Sequence, residues 1–187
     1  MKNKLLVLLL AGFMLAPGLA QARRLQNMTE TSDLCRRIDN VIEFCKPNKT
    51  WDIQKVTGNR SLGRQKSFEI EQNRSGPDAT CSIYDTRFRR DVFKTAVDYG
   101  KRMEQVYRDN GMTEVQGTAK VINGRNAYIV KGYMPDRGLM YKILHLRNTN
   151  TLFDIECSSD RKDFNRVDSV EFDQLFNTFK ILTETTP

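Results

Sequence analysis

Apolar and polar positions alternate over most of the chain, a pattern typical of half-buried β-strands. The alternation predicts strands over residues 40–45, 67–71, 79–85, 118–122, 125–133, 139–147 and 152–158. Trp51, the only tryptophan, is expected to anchor the start of the sheet. Asn123-Gly124 separates two of these strands and is a strong signal for a tight hairpin. Hairpins between consecutive strands predict an antiparallel sheet.

Two other segments carry apolar residues at intervals of three and four positions, which predicts amphipathic helices. The first covers residues 91–110, with Asp91 as the expected N-terminal cap and Asn110-Gly111 as the stop. The second is expected to begin near Asp168, since Asp168 and Glu171 have the spacing of a capping box. Two helices that bury their stripes on an antiparallel sheet predict an α+β fold. It becomes an α/β/α sandwich if they cover opposite faces.

The extreme N-terminus has the pattern of a secretory signal peptide. Two lysines precede an apolar run from Leu5 to Leu15, and Ala20-Gln21-Ala22 fits the small-x-small pattern of a cleavage site. The apolar run is shorter than the roughly 20 residues of a membrane-spanning helix. We therefore predict that residues 1–22 are removed near Ala22-Arg23, and that the mature chain is periplasmic or secreted and does not span a membrane.

The rest of the chain contains no repeat and no low-complexity linker. Residues 23–37 are polar and are expected to be a flexible segment, followed by a single domain over residues 38–187. The formal charge of +7 falls to +5 once the two signal-peptide lysines are removed. The remaining basic residues are scattered in the way of a solvated surface, so nucleic acid is not an expected partner.

All four cysteines, Cys35, Cys45, Cys81 and Cys157, lie in the exported part of the chain. An even number in an oxidising compartment predicts two structural disulfides, for which three pairings are possible. We favour Cys35 with Cys45 and Cys81 with Cys157, because the second pair lies in predicted strands. The first pair requires that residues 33–45 are not one helix, in which Cys35 and Cys45 would be about 15 Å apart.

The order of these features resembles the PsbP-like (Mog/PsbP/DcrB-type) family. The resemblance rests on Phe44-Cys45-Lys46-Pro47 followed by Trp51, on the long helix, on the Asn123-Gly124-Arg125 hairpin and on the closing Phe179-Lys180-Ile181. It covers residues 38–182 and implies a PsbP-like α/β/α sandwich in an exported bacterial member. It also implies non-enzymatic binding, without a shared catalytic site or cofactor. Unlike DcrB-type members, this chain has four cysteines and no lipobox cysteine.

Two carboxylates and one histidine are the best candidates for catalysis. Asp154 and Glu156 share a strand face, where they could bind a cation or act as acid and base. His145, the only histidine, is expected on one face with Tyr141 and Ile143. The more ordinary interpretation is a solvent-facing strand for the carboxylates and a structural imidazole for the histidine. No catalytic residue, metal or cofactor is therefore predicted, although a carboxylate site for Ca²⁺ is compatible with the sequence.

These observations favour an exported, non-enzymatic module that binds another protein, for instance an immunity protein that inhibits a secreted toxin. Exposed loops are common contact sites, and arginine is favoured at interfaces. The alternative interpretation is that these loops only keep the protein soluble. The candidate contacts lie in a basic loop over residues 57–66 and in the turn at 135–138: Arg60, Arg64, Lys66, Asp136 and Arg137. The alternatives are an accessory factor of an envelope or secretion system, and a hydrolase that uses Asp154, Glu156 and His145.

Overall fold

The computed structural model describes residues 28–55, 60–61, 64–72, 79–87, 93–149 and 151–182. The predicted signal peptide lies outside these residues. The strands are β1 Met28–Glu30, β2 Cys35–Ile38, β3 Ile42–Cys45, β4 Trp51–Lys55, β5 Arg60–Ser61, β6 Arg64–Gln72, β7 Ala79–Arg87, β8 Thr113–Ile122, β9 Arg125–Met134, β10 Leu139–Asn148, β11 Thr151–Asp160 and β12 Lys180–Ile181. The helices are α1 Ala96–Asp109, α2 Phe164–Val167, a π-helical segment Asp168–Phe172 and α3 Asp173–Thr178.

The strands form two antiparallel sheets. The main sheet has the order β4-β6-β7-β11-β10-β9-β8, with β5 also paired to β6, and the small sheet has the order β1-β2-β3-β12. Apolar side chains cover the main sheet on both faces. One face packs against α1, and the other packs against α2, the π segment, α3 and the small sheet. This arrangement confirms the predicted α+β fold with helices on the two sides of a mostly antiparallel sheet.

Both predicted disulfides are present. Cys35 lies directly opposite Cys45 in the β2–β3 pair, and Cys81 lies directly opposite Cys157 in the β7–β11 pair. Directly opposite positions on antiparallel strands bring two Cβ atoms close enough for a bond between the sulfur atoms. The favoured pairing is therefore confirmed, and no described cysteine is free.

The N-terminal part of the domain differs from the prediction. The segment expected to be flexible contains β1 and β2, and Ile38 at the end of β2 is completely buried. Asp39 and Asn40 both have positive φ and form a tight turn in which Val41 N donates to Ile38 O at 2.8 Å. Such a turn suits the twist of a hairpin, so β2 and β3 pair and the disulfide joins them.

Helix α1 begins later than predicted. Its N-cap is Thr95, whose hydroxyl accepts a hydrogen bond from Asp98 N at 3.0 Å. Asp91, the expected cap, lies outside the described residues. The predicted stop is confirmed, since Asn110 is the C-cap and Gly111 has a φ of +89°.

The C-terminal helix begins earlier than predicted, at Phe164, so the capping-box assignment is wrong. Asp168 has helical backbone angles and lies inside the helix. Glu171 accepts a hydrogen bond from Trp51 Nε1 at 2.9 Å instead of returning to the helix start. Both acidic side chains face other parts of the fold, which local spacing does not show.

Candidate functional site

The predicted catalytic candidates lie on the face of the main sheet that α1 covers. In the β10–β11 pair, His145 is opposite Asp154 and Ile143 is opposite Glu156. Tyr141 and Ile143 belong to the apolar cluster under α1, whereas Leu144 and Leu146 belong to the cluster on the other face. The alternation in β10 therefore gave the correct face for the histidine.

Asp154 is not solvent-facing as expected, because α1 buries it. It is 1% exposed, and both of its carboxylate oxygens have hydrogen-bond partners. His145 Nδ1 lies 2.7 Å from Asp154 Oδ1, and Tyr99 OH donates to Asp154 Oδ2 at 3.0 Å. The ring of Tyr107 is stacked on the imidazole at 6.1 Å between centroids, and Tyr99 meets it edge-on at 5.2 Å.

This buried group has part of the geometry of an acid–base site. A carboxylate only accepts hydrogen bonds, so Asp154 favours the tautomer of His145 with its proton on Nδ1. His145 Nε2, the atom that would activate a nucleophile, has no hydrogen-bond partner among the described residues. The imidazole is also completely buried. The arrangement connects α1 to the sheet through a hydrogen bond and ring contacts.

Glu156 follows Asp154 by two residues on the same face of β11, and it lines a pocket of about 140 Å³ at the end of α1. Its lining includes three of the candidate site residues from the sequence, Asp136, Arg137 and Glu156. Its lining residues are Tyr107, Asn110, Met112, Met134, Asp136, Arg137, Tyr141, Ile143 and Glu156. We call the pocket together with the exposed turn at residues 135–138 the turn–pocket surface.

Arg137 is held in place at the edge of this surface. Its Nη1 donates to Tyr141 OH at 3.3 Å, and this hydrogen bond raises the pKa of the Arg137 guanidinium above its ordinary value. Nearby Asp136 and Glu156 raise that pKa further. Burial raises the pKa of Tyr141. At neutral pH the surface therefore presents a fixed cation, a neutral phenol and two neighbouring acidic side chains.

The second group of predicted contacts lies at the other end of the sheet. Within the predicted loop, residues 60–61 form β5 and pair with residues 64–65 of β6, so the described part is strand, while residues 57–59 and 62–63 lie outside the described residues. Gln65 is opposite Asp85, Asp85 is opposite Phe153, and Phe153 is opposite Leu146. Leu146 is near the end of β10, whereas the turn at 135–138 precedes its start. The two predicted contact segments do not form one surface.

The side chains of Arg60, Arg64 and Lys66 lie outside the described residues, so their role as contacts stays a prediction. Tyr99 and Tyr107 were missed as partners of the histidine and the carboxylate. Tyr107 belongs to the apolar stripe of α1, but its position over an imidazole depends on the tertiary fold. In the described part of the chain, no three His, Cys, Asp or Glu side chains are placed to hold a metal ion.

Comparisons with solved structures place the fold. Cyanobacterial PsbP (CyanoP) from Synechocystis superposes with a TM-score of 0.58 at 17% identity, over 90% of this chain and 98% of that protein. The Pseudomonas aeruginosa protein PA94 superposes with a TM-score of 0.50 at 12% identity, over 68% of this chain and 94% of that protein. No family model and no curated protein matches the sequence. The domain has a PsbP-like fold, as the sequence resemblance implied.

The described residues include no helix that is both long enough and apolar enough to cross a membrane.

Proposed function

We propose that the protein is an exported, non-enzymatic module that binds another protein through the turn–pocket surface. The observation that carries this proposal is the position of Arg137, which is fixed by Tyr141 at the edge of a pocket whose wall includes Glu156. An exposed charged turn beside a partly apolar pocket is suited to receive an anchoring side chain of a partner. The partner would supply opposite charge to Asp136 and Arg137.

The composition of the pocket supports protein recognition. Its walls include two tyrosines and two methionines, Tyr107, Tyr141, Met112 and Met134. Tyr107, Met112 and Tyr141 are 3%, 4% and 6% exposed and form the base of the pocket, whereas Met134 is half-buried and offers an adaptable apolar side chain at its rim. Because α1 and the sheet already fix these side chains, little order would have to be gained on binding.

Export is supported by two features. The N-terminal pattern is that of a signal peptide, and both disulfides join buried or half-buried cysteines of neighbouring strands. Stable disulfides are typical of oxidising compartments outside the cytosol. A PsbP-like fold, with the binding role that the resemblance implies, fits the same interpretation.

The geometry gives little support to the hydrolase hypothesis. That hypothesis needs Asp154 as the partner of Glu156, but both oxygens of Asp154 bond to Tyr99 and His145. These hydrogen bonds hold the Asp154 carboxylate under α1, which does not favour its use as the acid or base that the sequence suggested beside Glu156. Glu156 is better placed to set the charge of the pocket.

The more specific form of the proposal is an immunity protein that inhibits a secreted toxin, and the alternative is an accessory factor of an envelope or secretion system. Affinity purification from the native envelope, with tagged residues 23–187 as bait, distinguishes them. A toxic enzyme that is inhibited on binding would support the immunity role. A component of an envelope or secretion assembly would support the accessory role. If no stoichiometric partner is recovered, the proposal fails.

The surface itself is tested with the purified partner. We expect Arg137→Glu to weaken binding at least about tenfold, because it reverses the charge of the side chain on which the proposed contact depends. Lys101→Glu makes the same charge change on the exposed side of α1 and should leave affinity almost unchanged. Equal affinities of the two variants, measured by calorimetry, would exclude this surface as the contact.

A further inference from the structure

The main sheet ends at β8 in a strand edge that can pair with another strand. β8 has ten residues and is the last strand of the sheet order, and no described strand pairs with its outer side. The opposite edge, β4, has five residues, of which two are charged. Short and charged edges resist pairing with another chain, whereas long and regular edges favour it. β8 is therefore the edge at which this sheet can be extended.

Only the second part of β8 has regular edge geometry. At its start, the pairing with β9 shifts register before Gln116, and Val115 O accepts a hydrogen bond from Arg108 Nη2 at 3.0 Å. From Gln116 to Ile122 the pairing with β9 is regular. Because such irregularities protect an edge, residues 116–122 are the segment that is open to pairing.

The turn after β8 decides which backbone groups of this segment face outward. Asn123-Gly124, whose residues both have positive φ, is a two-residue hairpin turn, and Ile122 lies opposite Arg125. The residues that flank such a turn form a hydrogen-bonded pair, so every second residue back from Ile122 directs its N–H and C=O to β9. The residues between them direct theirs away from the sheet: Gly117, Ala119 and Val121.

The side chains of this segment also favour pairing. Val121 is 64% exposed, the highest value among the large apolar side chains of the described residues. Lys120 carries the only charge in residues 116–122, and its Nζ is 4.0 Å from Asp173 Oδ1, so it leans toward its own α3. A single lysine that is engaged elsewhere gives this edge little protection.

We propose that two copies of this chain associate through β8, with the two strands antiparallel and a two-fold axis at Ala119. This axis pairs residues 116–122 with the same segment of the second copy. Outward-facing residues then lie opposite outward-facing residues, so their N–H and C=O groups form hydrogen-bonded pairs. The two main sheets become one continuous sheet.

The neighbouring registers are less favourable. An axis at Lys120 would place two lysines directly opposite each other, and like charges in that position are destabilising. An axis at Thr118 would bring Val115 into the pairing, although its carbonyl already accepts from Arg108. With the axis at Ala119, Lys120 lies opposite Thr118 of the second copy. These matches come from the sequence of β8 itself, which favours a second copy over an unrelated strand.

The face of the sheet that carries α1 accommodates this pairing. Val121 lies opposite Gly117 of the second copy, where Glu104 and Tyr128 fill the space of the absent side chain, so an exposed valine becomes covered. α1 packs over β8, β9 and β10. The two β9 strands would be three strand spacings apart, about 14 Å. A helix is roughly 10–12 Å wide, so the two α1 helices fit side by side.

The test is analytical ultracentrifugation of the mature chain alone, from about 1 µM to about 1 mM, which covers weak to moderate dissociation constants. We expect a monomer–dimer equilibrium. A chain that remains monomeric over this range, or that forms larger species in place of a dimer, would overturn the proposal. Because no other protein is present, this result is independent of the proposed binding function.

Two variants with the same charge change test the register. Ala119→Glu places two carboxylates directly opposite each other and should weaken dimerisation about fivefold or more. Thr118→Glu places each carboxylate opposite Lys120 of the second copy and should strengthen dimerisation at least about twofold. Equal effects of the two variants, with melting temperatures like the parent, would disprove pairing about Ala119.

Cysteine variants give a second readout that does not depend on charge. In the proposed dimer the two Cα atoms of residue 119 are about 5.5 Å apart, within reach of a disulfide. We therefore expect mild oxidation to link Ala119→Cys into a covalent dimer. Val121→Cys is the matched control and should remain unlinked, because its opposite residue is Gly117. Linkage of Val121→Cys in place of Ala119→Cys would contradict the proposed axis.

Discussion

The two faces of the main sheet bury polar groups in different ways. Beneath α1, His145, Asp154 and Tyr99 are joined by hydrogen bonds among aromatic rings. On the other face, the ammonium of Lys142 is 3% exposed, pairs with Asp168 and lies 2.9 Å from Asp173 Oδ1. One face uses directional hydrogen bonds, and the other uses ion pairs between strand and helix.

The difference is reflected in the helices. The helix over the ion pairs contains the π segment, in which Asp173 N donates to Asp168 O. In a regular α-helix, residues five positions apart point about 140° away from each other. The i→i+5 hydrogen bond of a π-helix brings such residues closer to the same side of the helix. One buried ammonium can therefore contact both carboxylates. α1 meets its hydrogen-bonded group with regular helical geometry.

The largest effect is expected from the disulfide on the ion-pair face. Cys81 and Cys157 are 76 residues apart and Cys35 and Cys45 only 10. Loop-closure entropy in the unfolded chain gives about 4.5 kcal/mol for the long loop and about 2.8 kcal/mol for the short one. We expect Cys81→Ala with Cys157→Ala to lower the free energy of unfolding in urea more than Cys35→Ala with Cys45→Ala. Equal losses would contradict this ranking.

Lys142→Ala is expected to cost about 3 kcal/mol of unfolding free energy, because it leaves buried carboxylate charge without its cation. Asp168 keeps Lys131, whose Nζ is 2.5 Å from its Oδ2, so the loss should stay below the upper limit for such pairs. Lys142→Met retains most of the aliphatic packing, and its difference from Lys142→Ala separates charge from volume. Lys101→Ala on the exposed side of α1 is the control. A loss below about 1 kcal/mol for Lys142→Ala would show that the ion pairs do not stabilise this face.

On the α1 face, Asp154→Ala should cost about 2 kcal/mol, since Tyr99 OH and His145 Nδ1 lose their common acceptor. Tyr99→Phe removes one hydrogen bond and retains the ring, so about 1 kcal/mol is expected. Both are measured by urea unfolding followed by circular dichroism. If Tyr99→Phe costs as much as Asp154→Ala, the carboxylate does not organise this face.

The smallest expected effect is a pH dependence of stability that arises on the α1 face. Burial, together with the hydrogen bond that Tyr128 OH donates to Glu104, raises the pKa of Tyr128 from 10.0 to about 12. Because the folded-state pKa is the higher one, the neutral phenol stabilises the fold fully below pH 10, and this contribution is lost between pH 10 and 12. The stability difference between the parent and Tyr128→Phe should therefore shrink only in that interval. A constant difference up to pH 12 would contradict the raised pKa.

Features set by neighbouring residues could be predicted from the sequence. The Asn123-Gly124 hairpin, the end of α1 at Gly111 and the face of His145 follow from turn chemistry or from alternation. The fold class follows from the order of these elements. Asp39-Asn40 is a turn signal that is compatible with the β2–β3 hairpin. The polar character of residues 23–37 instead favoured the interpretation as a flexible segment.

Features that depend on distant contacts could not be predicted. In the sequence, Lys142 is one polar residue within a predicted strand. Only the packing of the C-terminal helix shows that it is buried among carboxylates. Asp168 has the spacing of a capping residue, but its carboxylate pairs with Lys142. Asp154 follows the pattern of a solvent-facing position, yet α1 covers it. In each case a charged residue at a regular position is explained by an element far away in sequence.

The bond between Cys81 and Cys157 also has a consequence for proteolysis. It closes a covalent ring that includes α1, β8, β9, β10 and the exposed turn at 135–138. A protease that cut this turn once would leave the two fragments joined through the sulfur atoms. Such a nicked molecule would migrate as an intact chain until a reductant was added, so the turn–pocket surface could be cleaved without releasing half of the protein.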